Sequence, residues 1–204
     1  MAKQAPVGRQ AEITRAAAAL FNERGFHTSS MEDVAQAVGL KKPTLYHYVQ
    51  SKAQIVAWIH DECVAAVLPP LQGYVKEGLP APEILRRVAQ DIFGLLESKP
   101  GYLRIYFENH RDLDKRSQTR IAKRRDEYYG YVRQVLEEGT AAGDLSVENP
   151  QLAAMTFFGM CNWAYQWYRP GGSLTPEQIA TYVWKTFMAG VSEPGFERLP
   201  ERLA

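Results

Sequence analysis

The chain has 204 residues, 46% hydrophobic and 23% charged, with a formal net charge of +1. That is enough apolar material for one large or two small domains, and too balanced a charge for a disordered chain or a polycation. Its two cysteines, Cys63 and Cys161, exclude a disulfide framework and offer no Cys/His spacing for zinc.

The opening residues Met1-Ala2-Lys3-Gln4-Ala5-Pro6 lack the apolar core of a secretion signal. No apolar run is long enough to span a bilayer, so a cytoplasmic protein with no membrane partner is expected. Apolar spacing is helical almost throughout, with no sustained period-2 alternation between hairpin turns. An all-α fold of about nine helices is predicted.

The first predicted helix runs roughly from Arg9 to Arg24, with Ile13, Ala16, Ala17, Leu20 and Phe21 as its apolar face and Gly25 as its stop. Ser30 with Asp33 resembles a capping box with Asp in place of Glu, and opens a second helix that ends at Gly39. Pro43 suits the first turn of a third helix, where Leu45 and Val49 point inward and Thr44, His47 and Tyr48 project elsewhere. Ser51 caps a fourth helix that runs to about Leu68, where Pro69-Pro70 ends or kinks it. A fifth helix follows Pro82. A short sixth runs from Tyr102 to Asn109, and a long seventh from Asp114 to Ala142.

The eighth, from about Pro150 to Tyr168, is apolar nearly all round (Leu152, Ala153, Met155, Phe157, Phe158, Met160, Trp163), which predicts burial on every side. The ninth, after Thr175 and Pro176, also exceeds one apolar stripe. Such a pair is either enclosed within a monomer or forms a subunit interface, and a homodimer through these last two helices is the expectation. The tail from Glu193, with Pro194 and Pro200, is expected to be loosely ordered.

The second and third helices form a helix-turn-helix. Over residues 1–60, seven basic side chains (Lys3, Arg9, Arg15, Arg24, Lys41, Lys42, Lys52) outnumber four acidic ones (Glu12, Glu23, Glu32, Asp33), a local +3 that leaves −2 for the remainder. A basic end on a near-neutral chain marks an anion footprint. A helix in the major groove reads bases while its neighbours hold phosphates, so double-stranded DNA is the first partner predicted. Thr44, Tyr46 and Tyr48 offer hydroxyls, and Lys42 and Lys52 offer cations. Ser30 can set its hydroxyl and a backbone N–H against a phosphate.

From Ile13 to Lys52 the chain resembles the DNA-binding domain of the TetR repressor family. The resemblance lies in Ala18-Leu20-Phe21 before Gly25-Phe26, then Thr28-Ser29-Ser30 and Val34-Ala35-Gln36-Ala37-Val38-Gly39. Above all it lies in Thr44-Leu45-Tyr46-His47-Tyr48-Val49 with Ser51-Lys52. Val49 departs from the family's usual Phe. The resemblance implies that Lys42, Pro43, Thr44, Tyr46, His47, Tyr48 and Lys52 form the DNA-contacting face. It also implies a DNA-binding domain over residues 1–52, a ligand-binding and dimerisation domain over 53–204, and a palindromic operator.

A second stretch, Gly159-Met160-Cys161-Asn162-Trp163-Ala164-Tyr165-Gln166-Trp167-Tyr168-Arg169-Pro170-Gly171-Gly172, is similar to the end of helix eight in a TetR subgroup that controls fatty-acid, branched-chain and sterol breakdown. Glu137-Glu138-Gly139 with Ala142-Gly143 matches it as well. That subgroup answers to acyl-CoA thioesters, which implies an acyl-CoA-like effector. Trp167 and Arg169 would either contact it or shape the loop into helix nine.

Such an effector needs an apolar slot and a basic rim. Phe93, Leu96, Tyr102, Tyr106, Phe107, Tyr128, Phe158 and Trp163 can line the slot, with Asn162 beside them. The rim can draw on Arg104, Arg111, Arg120, Lys123, Arg124 and Arg125. The same aromatics also suit a multidrug-type regulator. A non-DNA apolar-ligand carrier would leave the basic, tyrosine-rich third helix unexplained. No Gly-rich phosphate loop, GxSxG elbow, HExxH or metal cluster is present in the sequence, so no enzyme, cofactor or metal is expected.

Overall fold

The computed structural model describes residues 7–191. The opening segment to Pro6 and the tail from Glu193, on which the sequence carries expectations, lie outside the described residues. The helices are α1 (Val7–Arg24), α2 (Met31–Ala37), α3 (Lys42–Tyr46), α4 (Lys52–Lys76), α5 (Ala81–Ser98), α6 (Tyr102–Glu108), α7 (Lys115–Ala141), α8 (Pro150–Asn162), α9 (Ala164–Trp167) and α10 (Pro176–Val191). A 3-10 turn, His110–Asp112, joins α6 to α7. No strand occurs among the described residues, and the predicted all-α class holds. The predicted count of about nine is met when α8 and α9, parted only at Trp163, are taken as one bent helix.

Two boundaries differ from expectation. First, α4 runs straight through Pro69-Pro70 to Lys76. Each proline removes an amide from the helix ladder and crowds the preceding turn. Val67, Leu68 and Leu71 are nonetheless buried against α5 and α7, and that burial outweighs the local penalty. Second, α3 stops at Tyr46, so Tyr48 and Val49 lie in the turn that follows, although Val49 is fully buried. Within the single chain α8 is not enclosed on every side, which leaves a face open for the expected subunit interface. Ala154, Phe157, Phe158 and Cys161 face the core, while Leu152, Met155 and Trp163 face outward.

One buried cluster runs from α1 to α10. α4 is its spine: it packs on α1 and also on α5, α6 and α7. The expected domain boundary at Lys52 falls at the first residue of this helix. α5 presents one apolar face, Ile84, Leu85, Val88, Ala89, Ile92 and Phe93, and lies against α10. Trp184 of α10 fixes that pairing, its indole N–H donating to the Pro82 carbonyl at 2.9 Å.

Candidate DNA interface and ligand chamber

The helix-turn-helix is held by local hydrogen bonding. Ser30, in extended conformation, caps α2: its Oγ accepts from the Asp33 amide at 3.2 Å, while its own amide donates to Asp33 Oδ2 at 2.7 Å. Interaction with Ser30 keeps the Asp33 carboxyl below its usual range. At the other end Gly39 takes φ +64°. Its amide donates to Gln36 O at 3.1 Å and that of Leu40 to Ala35 O at 2.8 Å, the paired closure of a Schellman turn. This turn sets α3 across α2 with Leu45 and Val49 fully buried beneath it.

Burial of those two aims the remaining side chains outward. Lys42, Pro43, Tyr46 and His47 are exposed, and Thr44 and Tyr48 are half-buried at the edge. Lys42 lies 3.8 Å from Glu32, an exposed and screened pair that leaves its ammonium available. Lys41 and Gln50, which the sequence pattern did not single out, flank α3 and are exposed as well. The signal for Lys41 was its place beside Lys42, immediately before the proline.

Two of the predicted DNA-contact residues already hold hydrogen-bond partners within the chain, Ser30 while remaining exposed. The Ser30 hydroxyl and amide both bond Asp33, so a phosphate would have to displace that carboxylate. Lys52 Nζ donates to the carbonyls of Phe26 and Ser29, at 2.6 Å each, and sits 4.4 Å from the Phe26 ring centroid. It clasps the α1–α2 loop and does not reach outward as expected.

A second feature lies between α4, α5, α6, α7 and α8. An inner chamber of about 50 Å³ is walled by Cys63, Val64 and Val67 of α4, Ile92 and Leu95 of α5, Leu103, Tyr106 and Phe107 of α6, Arg125, Tyr128 and Tyr129 of α7, and Phe158 and Asn162 of α8. It adjoins an outer chamber of about 860 Å³, which His60, His110, Asp126, Arg133 and Met155 help to line. Tyr106, Phe107, Arg125 and Tyr129 belong to both and form the partition. Tyr129 and Phe158 lie ring to ring at 4.1 Å. The inner walls are nearly all apolar, and the outer walls carry charge.

Burial sets the protonation of this region. His60 is 1% exposed, its ring 4.4 Å from Tyr106, and neither ring nitrogen has a hydrogen-bond partner. Burial, aided by the nearby His110 and Arg120 charges, lowers its pKa to about 4, so it is neutral. Burial likewise pushes the Cys63 thiol up to about 12 and the Tyr106 and Tyr128 phenols above their usual range. None of these groups is an activated nucleophile.

Of the predicted ligand residues, the structure brings Tyr106, Tyr128, Phe158 and Asn162 into the inner chamber, together with Phe107 and Arg125. It places others elsewhere. Phe93 is fully buried core, because α5 turns it away from the chamber that Ile92 lines. Tyr102 is buried with Lys99 over its ring. Leu96 and Arg169 line a separate cleft beside Asn22 of α1. Arg111 is exposed in the 3-10 turn, and Trp163 and Trp167 are exposed at 63% and 47%. Arg120 and Arg124 pair with Asp61 of α4. Cys63, Val64, Val67 and Tyr129 were missed, since nothing separates a chamber wall from ordinary core in a lone apolar stripe.

The family model "Tetracyclin repressor-like, C-terminal domain" matches residues 78–191, more than half the chain, and "Bacterial regulatory proteins, tetR family" matches residues 13–59. The chain belongs to the TetR family. Family members are DNA-binding transcriptional regulators and not enzymes, which agrees with the reading of the sequence. Among relatives, the "HTH-type transcriptional repressor KstR2" of Rhodococcus jostii is 28% identical over 193 residues, covering 92% of this chain and 93% of that one. The crystal structure of "AibR in complex with isovaleryl coenzyme A and operator DNA" superposes with a TM-score of 0.77 at 26% identity, covering 88% of this chain and 98% of that one. The ketosteroid regulator KstR2 of Mycobacterium tuberculosis, at a TM-score of 0.84 and 22% identity over 95% of this chain and all of that one, shares the fold. The TetR-family N-terminal match ends inside α4, so that helix carries the DNA-binding unit into the chamber wall.

Proposed function

We propose that this TetR-family regulator represses transcription by binding a palindromic operator as a homodimer, and that a CoA thioester releases it. The observation that carries the effector reading is the nested pair of chambers, apolar within and polar without, meeting at Arg125. An acyl group needs the first, and a phosphate-bearing carrier needs cations such as Arg125 and Arg133 in the second. The AibR complex with isovaleryl coenzyme A and operator DNA supports the same assignment.

Supporting the dimer is an exposed apolar stripe on α8 and α10. Leu152, Met155 and Trp163 recur on one side of α8 and its C-cap, and Tyr182 of α10, a helix that packs on α8, is 74% exposed. A patch of that kind on an otherwise well-buried chain marks an association surface. Release would follow from the chain's own mechanics. The inner chamber is only about 50 Å³, so entry of an acyl group beyond a short tip must spread its walls. One wall is α4, whose first residue, Lys52, clasps the loop leading into α2. A ligand that binds the spread form more tightly shifts the spacing of the two α3 helices and weakens DNA binding.

The test is fluorescence anisotropy with DNA from the chain's own promoter region. The expected result is salt-sensitive binding as a dimer, reversed by micromolar CoA esters. Absence of salt-sensitive binding overturns the regulator reading at that DNA, and failure of every CoA ester to release it overturns the effector. Release by free fatty acids and cationic dyes alone would make it a multidrug-type regulator.

A further inference from the structure

We infer that the buried end of the effector carries an oxygen that accepts a hydrogen bond from Tyr128, so that the chamber selects oxygenated acyl groups over plain hydrocarbon ones. The inference rests on the CoA-thioester reading above and names the acyl class within it. Tyr128 is a wall of the inner chamber, and its hydroxyl is buried with no hydrogen-bond partner. Val64, Val67, Ile92, Leu95 and Phe158 wall the same chamber, and the polar groups whose charge reaches the hydroxyl, Asp91 and Cys161 among them, make no hydrogen bond to it. A buried, unpaired donor is unfavourable, and a phenylalanine would fill the same volume without that penalty. The hydroxyl therefore has a use only when something polar enters.

The remaining polar groups nearby do not compete for that role. Asn162 interacts with the Tyr129 hydroxyl and lowers its pKa against the effect of burial. The other orphaned group, His60, lines the outer chamber. Burial keeps the phenolic proton on Tyr128, so it meets the ligand as a donor and suits a keto or hydroxyl oxygen. The chamber, about 50 Å³, is small, which points to a short acyl tip.

Isothermal titration of the full-length protein with acetoacetyl-CoA and butyryl-CoA tests this, since the two esters have equal carbon number and differ at one oxygenated position. The expected result is binding of acetoacetyl-CoA about tenfold tighter, the scale of one satisfied buried donor. In Tyr128→Phe, checked for folding by circular dichroism, the two esters should bind equally, with butyryl-CoA no weaker than in the parent. Equal binding in the parent, or an undiminished preference in Tyr128→Phe, overturns the inference and leaves the CoA reading standing. Binding of neither ester, nor of any longer one, overturns both.

Discussion

Lys52 and Phe26 are joined twice: the lysine ammonium donates to the Phe26 carbonyl at 2.6 Å and lies 4.4 Å from the centre of its ring. The first residue of α4 thereby holds the loop that leads into α2. In Lys52→Met, which keeps the stem and loses the donors, the thermal midpoint should fall with a stability loss of about 1–3 kcal/mol. The slope of log affinity against log salt on DNA should stay unchanged. A lysine that bound phosphate would give the opposite pair of results, a smaller slope by about one and little change in stability.

Gly139→Ala should destabilise the fold. A methyl group there would lie 2.5 Å from the Ala81 side chain and 2.9 Å from Leu145 Cδ1, so α5 and α7 must part. Alanine in a helix is ordinarily favoured over glycine by roughly 1 kcal/mol, and overpacking reverses that sign, leaving a net loss of about 1–2 kcal/mol. Urea unfolding measures it, and a stabilised variant would refute the close approach.

His60 predicts a pH dependence. Its folded pKa, about 4, lies below its ordinary value of 6.5 because burial disfavours the charged ring. The unfolded chain therefore binds the extra proton between those values, and stability drops as pH falls through that window. The loss reaches about 2 kcal/mol by pH 5, and is absent above pH 7. Comparing urea midpoints of the parent and His60→Phe at pH 7.5 and pH 5 isolates the effect. The difference should grow in the variant's favour on acidification, and an identical pH response in both would rule His60 out.

The stripe on α8 and α10 predicts a charge-sensitive dimer. Met155→Glu combined with Tyr182→Glu should give a folded monomer by light scattering, because two buried carboxylates per subunit would lack partners. DNA affinity should then collapse with no change at α3. A variant that remains dimeric would move the interface elsewhere.

The helix-turn-helix was legible because its determinants are local. Ser30, Asp33, Gly39 and Pro43 each act within a turn of their own position, and Leu45 and Val49 announce the buried side of α3. The ligand region was legible only in part. Tyr106, Tyr128, Phe158 and Asn162 meet at the chamber, whereas Phe93 and Trp163, equally aromatic or apolar in sequence, point into solid core and into open solvent. Helical periodicity gives the angle between side chains on one helix and says nothing about which neighbour stands opposite.

The sequence by itself therefore determined the helices, their caps and the outward face of α3, since each depends on residues a few positions apart. The tertiary structure alone decided the rest. It gave Lys52 and Ser30 hydrogen-bond partners within the chain, carried α4 through two prolines on the strength of burial, and left the Tyr128 hydroxyl buried and unpaired. Those outcomes are set by which atoms fill the space around a side chain, and that space exists only once α4, α5, α7 and α8 have packed.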